Sequence, residues 1–156
     1  MFKKYKPYII SALIALAVGG LSAIASGGMD IYAEIVKPPL SPPPFLFPVV
    51  WSVLYILMGI CSAEVYLKGK DGVTYTTTAL SLYAINLVMN FLWSIFFFGL
   101  RWFLFSFIWL VVLIGVVAYM IAEFRKISNW AGLWQIPYML WLVFAGYLNL
   151  AIYILN

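Results

Sequence analysis

The sequence contains no histidine, a single cysteine, Cys61, and charged residues at only 9% of its positions. Without histidine there is no imidazole general acid or base. No zinc or haem site can be assembled from His/Cys spacing, and neither metal nor cofactor is expected. A lone cysteine excludes an internal disulfide. Soluble domains carry about 25% charged residues, so this chain cannot clothe itself against water. That excludes a cytosolic enzyme and a disordered tail. The net charge of +4 does not mark a nucleic-acid-binding domain, because the basic residues fall between apolar segments rather than on one patch.

What is present is apolar side chain, 66% of 156 residues, and an unusual supply of rings: 7 Trp, 11 Tyr and 12 Phe. The solvent for such a chain is lipid. Charge-free intervals at 7–29, 38–63, 72–100, 102–122 and 127–156 each exceed the roughly 20 residues a helix needs to cross about 30 Å of hydrocarbon. Within hydrocarbon a segment must satisfy its own backbone, so these are helices. The alternation of a lipid-facing barrel strand is absent. The expected fold is all-α: an integral membrane bundle of five transmembrane helices, about 7–27, 46–68, 74–99, 102–125 and 130–154, forming one domain over 1–156.

The first span has a basic start, and Ala23-Ile24-Ala25 resembles a cleavage site. Its apolar run is too long for a signal peptide and its small residues continue along a whole helical face, so it is expected to be retained. Basic residues set the orientation. Lys3, Lys4, Lys6, Lys68, Lys70, Arg125 and Lys126 fall on one side, Lys37 and Arg101 on the other. The N-terminus is expected in the cytoplasm and the C-terminus outside, in the cell membrane. Glu64 and Glu123 lie near the cytoplasmic helix ends and are expected to be solvated.

The connections near 99–101 and 126–129 are minimal, which makes their flanking helices antiparallel neighbours. The loop from 27 to 44 is long and holds Lys37-Pro38-Pro39 and Pro42-Pro43-Pro44. Proline fixes φ and lacks an amide donor, so this loop is stiff and extended. Residues 30–36 allow a short helix before the prolines. Asp30 and Glu34, one turn apart, suggest a solvated face or a salt bridge to Lys37 or Arg101. Long ordered loops are usually functional. No internal repeat is visible, which argues against an inverted-repeat transporter.

Several faces combine rings with small or polar residues. Ser11, Ala15, Gly19, Ala23 and Gly27 recur every fourth residue, a stripe that lets another helix approach closely. It serves packing within the bundle or a dimer interface. Asn86, Asn90, Trp93 and Phe97 share one face of the third span. An amide in hydrocarbon needs a partner or a cavity, so each asparagine is either an interhelical contact or a ligand contact. In the fifth span Trp134, Tyr138, Trp141, Ala145 and Leu148 line one face, leaving a slot beside Ala145. Pro137 is expected to kink that helix near Leu133. Trp51 and Tyr55 are one turn apart in the second span. Trp102 and Trp130 fit an interfacial belt. Val117, Tyr119 and Arg125 fit a short cholesterol-type pattern of low specificity.

Three blocks together resemble the TspO family, the tryptophan-rich sensory proteins related to the translocator protein or peripheral benzodiazepine receptor. They are Tyr32 through Lys37-Pro38 and Pro42-Pro43 to Val50-Trp51-Ser52-Val53-Leu54-Tyr55; Asn86 through Asn90, Trp93-Ser94 and Phe97-Phe98; and Ile136-Pro137-Tyr138 through Trp141, Ala145, Leu148-Asn149 and Asn156. The resemblance implies a five-helix bundle, commonly a homodimer, with a pocket under the Pro-rich first loop, which acts as a lid. It implies binding of porphyrins such as protoporphyrin, and of benzodiazepine-type drugs. By motif position the ligand-binding residues are Tyr32, Pro42, Trp51, Tyr55, Asn90, Trp93, Ser94, Trp141 and Ala145. Trp51 and Trp141 match positions implicated in light- and oxygen-dependent porphyrin degradation by some bacterial relatives. The chain departs from many relatives at Ile31 and at Pro39-Leu40, where aromatics are common, so the lid has fewer aromatic contacts.

The physical reading agrees with a tetrapyrrole. A flat apolar macrocycle wants aromatic walls and few polar groups, and Lys37 is expected to reach its carboxylates near the loop. Two other functions compete with a membrane tetrapyrrole binder. One is a transporter of tetrapyrroles or other amphipathic molecules, for which no ion-coupling carboxylate lies deep in a span. The other is a ligand-occupancy sensor acting through a partner protein, for which the short loops leave little surface.

Overall fold

The computed structural model describes residues 2–28, 30–70 and 76–156. Every regular element among them is helical. Five stretches are long and apolar enough to cross a membrane, as the charge-free intervals require. In chain order the helices are α1 (Phe2–Ala25), the short α2 (Asp30–Glu34), α3 (Leu46–Lys70) and α4 (Thr76–Ser94). They continue with α5 (Phe103–Ile127), the short α6 (Asn129–Leu133) and α7 (Ile136–Leu155). The expected start of the third span, at 74, lies outside the described residues. The short helix anticipated in the first loop is α2.

α1 packs along α3; α4 packs on α5, and α5 on α7, the neighbours set by the minimal connections. The α1–α3 contact answers the choice left open for the small-residue stripe. Ala15 is fully buried. The Ser11 and Ser62 hydroxyl oxygens lie 2.9 Å apart. A Cβ on Gly59 would sit 2.5 Å from Ala12 Cα and 2.7 Å from Ser11 O, and one on Gly19 would sit 2.4 Å from Tyr55 Cε2. From Ser11 to Gly19 the stripe is spent inside the bundle, against α3.

The fifth span is interrupted rather than kinked. α6 ends at Leu133, Trp134 and Gln135 form a turn, and α7 begins afresh with Pro137 in its first turn. There proline's missing donor costs nothing, because the first amides of a helix have no internal acceptor. α4 also departs from an unbroken helix. It closes in a π-helical turn, Ile95–Gly99, with the Leu100 amide donating to Ile95 O at 2.9 Å. Nothing in the residue pattern announces this wider turn. It sets Phe97 stacked on Trp93 at 5.2 Å and Phe98 edge-on to it at 6.0 Å.

Of the two carboxylates expected to be solvated, Glu123 is not and Glu64 is so only in part. Glu123 is buried, and its Oε1 lies 2.8 Å from Lys126 Nζ, one turn along. Glu64 is partly buried and accepts the Tyr8 hydroxyl at 2.5 Å. A partner within the bundle replaces water for Glu123 and supplements it for Glu64. Trp102 and Trp130 are exposed on the outer surface, as belt residues would be. Val117 is fully buried while Tyr119 is exposed, so the cholesterol-type pattern is divided between core and lipid faces.

Candidate ligand-binding site

The first loop is fastened to the bundle at several points. Arg101 adopts a left-handed conformation (φ 56°), and its guanidinium reaches Glu34 Oε2 at 2.6 Å. This is one of the two salt bridges foreseen for that turn. The terminal side chain of Asn156 clamps Val36 from both sides: Val36 N donates to Asn156 Oδ1 at 3.0 Å, and Asn156 Nδ2 donates to Val36 O at 2.9 Å. The Tyr147 hydroxyl donates to Pro39 O at 2.6 Å. Proline-rich backbone has carbonyls in excess of amides, and these donors take them up.

Within the loop, the buried Tyr32 donates its hydroxyl to Pro42 O at 2.6 Å. Burial pushes the Tyr32 phenol above its ordinary pKa, and a hydrogen bond with Ser41 partly offsets this. Lys37 pairs with no acid among the described residues. Its Nζ donates to Tyr32 O at 2.8 Å and stands 5.0 Å from the centre of the Tyr32 ring. The cation therefore sits at the carbonyl end of α2, where a helix terminus favours positive charge.

Below the loop an aromatic chain runs inward. Tyr32 meets Phe47 at 5.1 Å, Phe47 meets Trp141 at 6.0 Å, and Trp141 meets Trp51 at 6.5 Å, all edge-to-face. Trp51 continues to Tyr55 at 5.7 Å and Tyr138 at 6.3 Å. α3 and α7 thus face each other through rings.

A cavity of about 300 Å³ lies between α1, α3 and the end of α4. Trp51, Tyr55, Trp93 and Phe98 wall it on one side, with Ser52 and Ser94 among them. α1 supplies the opposite wall with Gly19, Gly20, Ser22, Ala23 and Ser26. Gly20, Ala23 and Ser52 are exposed, so the cavity opens sideways between α1 and α3. Its volume is at the lower end of small-molecule sites, about 300–1,000 Å³. Its residue types suit a flat apolar ligand with a few hydrogen-bonding groups.

Of the residues singled out from sequence, Trp51, Tyr55, Trp93 and Ser94 border this cavity. Tyr32 and Ala145 border a separate crevice of about 20 Å³ beneath the loop, with Trp93 common to both. Pro42 contributes its carbonyl to Tyr32. Trp141 stands behind Trp51, and its Nε1 is shielded from solvent with no acceptor among the described residues. Asn90 is buried and donates to the Tyr138 hydroxyl at 2.7 Å, which in turn donates to Asn86 Oδ1 at 2.5 Å. Both asparagines are therefore engaged by α7. The Trp93 indole donates to Asn149 Oδ1 at 3.1 Å, and Asn149 Nδ2 donates to Phe103 O at 2.8 Å, tying α4, α5 and α7 together.

The α1 wall was not foreseen. Its glycines and serines read as packing residues, and they do pack up to Gly19. The signal lies in Gly19-Gly20 and in Ser22 and Ser26, where the stripe widens beyond what one helix contact uses. The bridging role of Tyr138 was also missed, although its place on the aromatic face of the fifth span was legible.

The chain matches the model of the TspO/MBR family over residues 9–155. It is 37% identical over 153 aligned residues to a tryptophan-rich protein TspO of Chlorobaculum tepidum, covering 92% of this chain and 95% of that one. It is 35% identical to a protein of the same name from Archaeoglobus fulgidus, over 94% of each chain. It is 32% identical to a translocator protein of Ovis aries, over 83% of this chain and 77% of that one. A five-span membrane bundle with an aromatic cavity beneath a fastened loop thus belongs to the TspO/MBR family.

Proposed function

We propose that this protein binds porphyrin-type tetrapyrroles and related flat apolar molecules in the cavity between α1, α3 and α4. The observation that carries the reading is that cavity's wall, in which the Trp51, Tyr55, Trp93 and Phe98 rings face small side chains of α1. Rings of this kind stack on a macrocycle, and the glycines let it approach α1 backbone closely. The Ser52 and Ser94 hydroxyls offer the few polar contacts such a ligand needs, whereas Ser22 and Ser26 already donate to Phe91 O and Ala23 O. The ligand enters from the bilayer, edge-on through the gap beside Gly20, because the loop above is fastened at Glu34, Val36 and Pro39. Tyr32 and Pro42 keep that loop closed. Asn90 ties α4 to α7 behind that wall and Ala145 borders the crevice under the loop, and the Trp141 N–H is a donor with no acceptor among the described residues.

The test is a titration of protoporphyrin into protein held in lipid nanodiscs, in the dark, read by Trp fluorescence. Saturable quenching is expected, and its absence overturns the reading. Sealed liposomes loaded with protoporphyrin separate a binder, which shows no flux, from a carrier.

A second reading, light- and oxygen-dependent porphyrin degradation, is favoured by the Trp51–Trp141 pair. The light-excited porphyrin takes an electron from the Trp51 indole and passes it to dioxygen, and the Trp51 radical, with Trp141 behind it, recovers an electron from the porphyrin, so that the porphyrin is oxidised, dioxygen is reduced and the indole is restored. Loss of the Soret band under light, slowed in Trp51→Phe and Trp141→Phe while dark binding persists, is the expected result. The protein works as a homodimer, which native mass spectrometry in nanodiscs checks. The lysine-rich end of the bundle faces the cytoplasm and Asn156 lies outside, in the cell membrane. Single-cysteine labelling of intact cells reads this directly.

A further inference from the structure

A second apolar groove lies on the opposite end of the molecule from the loop. It has a volume of about 430 Å³ and is bordered by Lys6, Ile10 and Ile14 of α1, Tyr66 of α3, and Leu80 and Tyr83 of α4. From Lys6 to Ile14 it follows α1 for about 12 Å at helical rise. Its floor includes Ser11 and Ser62, whose hydroxyls already bond to each other, so apart from the Tyr66 and Tyr83 hydroxyls what remains to be covered is apolar.

Its mouth is basic. Lys6 is exposed at the rim, and Lys70 Nζ stands 4.9 Å from the centre of the rim ring Tyr66. Lys3, Lys4 and Lys68 are at the same helix ends. The nearby described carboxylates are already engaged, Glu64 by Tyr8 and Glu123 by Lys126. No salt bridge among the described residues involves Lys6 or Lys70.

An apolar channel that ends at a pair of lysines at a membrane-facing helix end matches one kind of molecule. We infer that this groove holds a single anionic phospholipid, one acyl chain lying along Ile10 and Ile14 and its phosphate between Lys6 and Lys70. A zwitterionic lipid brings no net charge to the lysines. A second copy of this chain docking face to face would set Lys6 against Lys6. Basic pockets between transmembrane helices recognise anionic headgroups by this combination of charge and depth.

The protein is to be reconstituted with equal phosphatidylcholine and phosphatidylglycerol, extracted in mild detergent, and examined by native mass spectrometry for retained lipid. One phosphatidylglycerol per chain is expected, in preference to phosphatidylcholine. In the double variant Lys6→Gln/Lys70→Gln the preference falls roughly tenfold. In Ile14→Trp, whose indole fills the channel from its exposed edge, both lipids are lost. Thermal unfolding confirms that each variant is folded, and a variant that fails this check is replaced by Lys70→Gln alone or Ile10→Trp. Equal retention of the two lipids overturns the inference, as does a phosphatidylglycerol preference unchanged by loss of the lysines.

Discussion

Replacing Gly59 by alanine tests the α1–α3 contact at its tightest point. The added Cβ would lie 2.5 Å from Ala12 Cα, 2.7 Å from Ala12 N and 2.7 Å from Ser11 O. All three are backbone atoms, so no side chain can swing away. Carbon atoms rest at about 3.5–4.0 Å, and α1 must therefore retreat by about 1 Å. A gap of that size forfeits a quarter to a half of each dispersion contact along the seam. It also stretches the 2.9 Å Ser11–Ser62 hydroxyl pair, a bond worth about 1 kcal/mol net. Overpacking of this kind costs about 1–3 kcal/mol, and alanine returns about 0.5–1 kcal/mol of helix preference. The net expectation is a loss of about 1–3 kcal/mol. At about 2–4 °C per kcal/mol for a chain of this size, the unfolding midpoint in nanodiscs drops by about 5 °C. Gly20→Ala is the control, because a Cβ there meets nothing within 4 Å. It should leave the midpoint unchanged or raise it. If Gly59→Ala is as stable as Gly20→Ala, the close approach of α1 and α3 is not as described.

Four further outcomes follow from hydrogen bonds. Tyr138→Phe removes the hydroxyl that joins Asn90 and Asn86 and leaves buried amides short of partners. It should cost about 1–3 kcal/mol per orphaned group, measured as a fall in thermal midpoint. Asn156→Ala frees Val36 from both of its bonds, and amide exchange across residues 30–42 should rise clearly. Glu34→Gln breaks only an exposed ion pair, worth at most about 1 kcal/mol, and should change that exchange much less. The Tyr32 phenol is neutral when it bonds to Pro42, and burial raises its pKa above the ordinary 10.0. Its contribution to loop closure is thus fully present below pH 10.0 and is lost as pH rises through the raised value. Protection of the loop amides, taken relative to the base-catalysed intrinsic exchange rate at each pH, should stay flat from neutral pH to that point and then fall, and Tyr32→Phe should abolish the fall.

The five spans were legible because charge is excluded from hydrocarbon, so its absence over long intervals marks them. The short helix α2 was legible from Asp30 and the prolines that stop it, and the Glu34–Arg101 bridge from charge at two connections on the same side. Other features were not readable in principle. Proline at 137 removes one donor, and whether a helix bends or restarts there depends on what Trp134 and Gln135 pack against. A stripe of small residues says that something comes close without saying which helix does. Glu123 is buried because Lys126 follows by three residues, yet the same spacing is common on solvated faces. The candidate site divides likewise. Its rings on α3 and α4 stood out by residue type, whereas its α1 wall is made of glycine, alanine and serine, which carry no chemistry of their own.

The central claim is that the cavity walled by Trp51 and opened beside Gly20 is where a tetrapyrrole binds. Its most direct measurement is the dissociation constant of protoporphyrin for the wild type, Trp51→Ala and Gly20→Leu, in nanodiscs and in the dark. Gly20 is exposed and a Cβ added there would meet nothing within 4 Å, so leucine there narrows the mouth while the bundle stays intact. The account predicts saturable binding by the wild type. It predicts that Trp51→Ala weakens it roughly tenfold by loss of one stacked ring, about 1 kcal/mol beyond area burial, and that Gly20→Leu slows association. Binding that is saturable yet indifferent to both changes would place the ligand elsewhere and contradict the account.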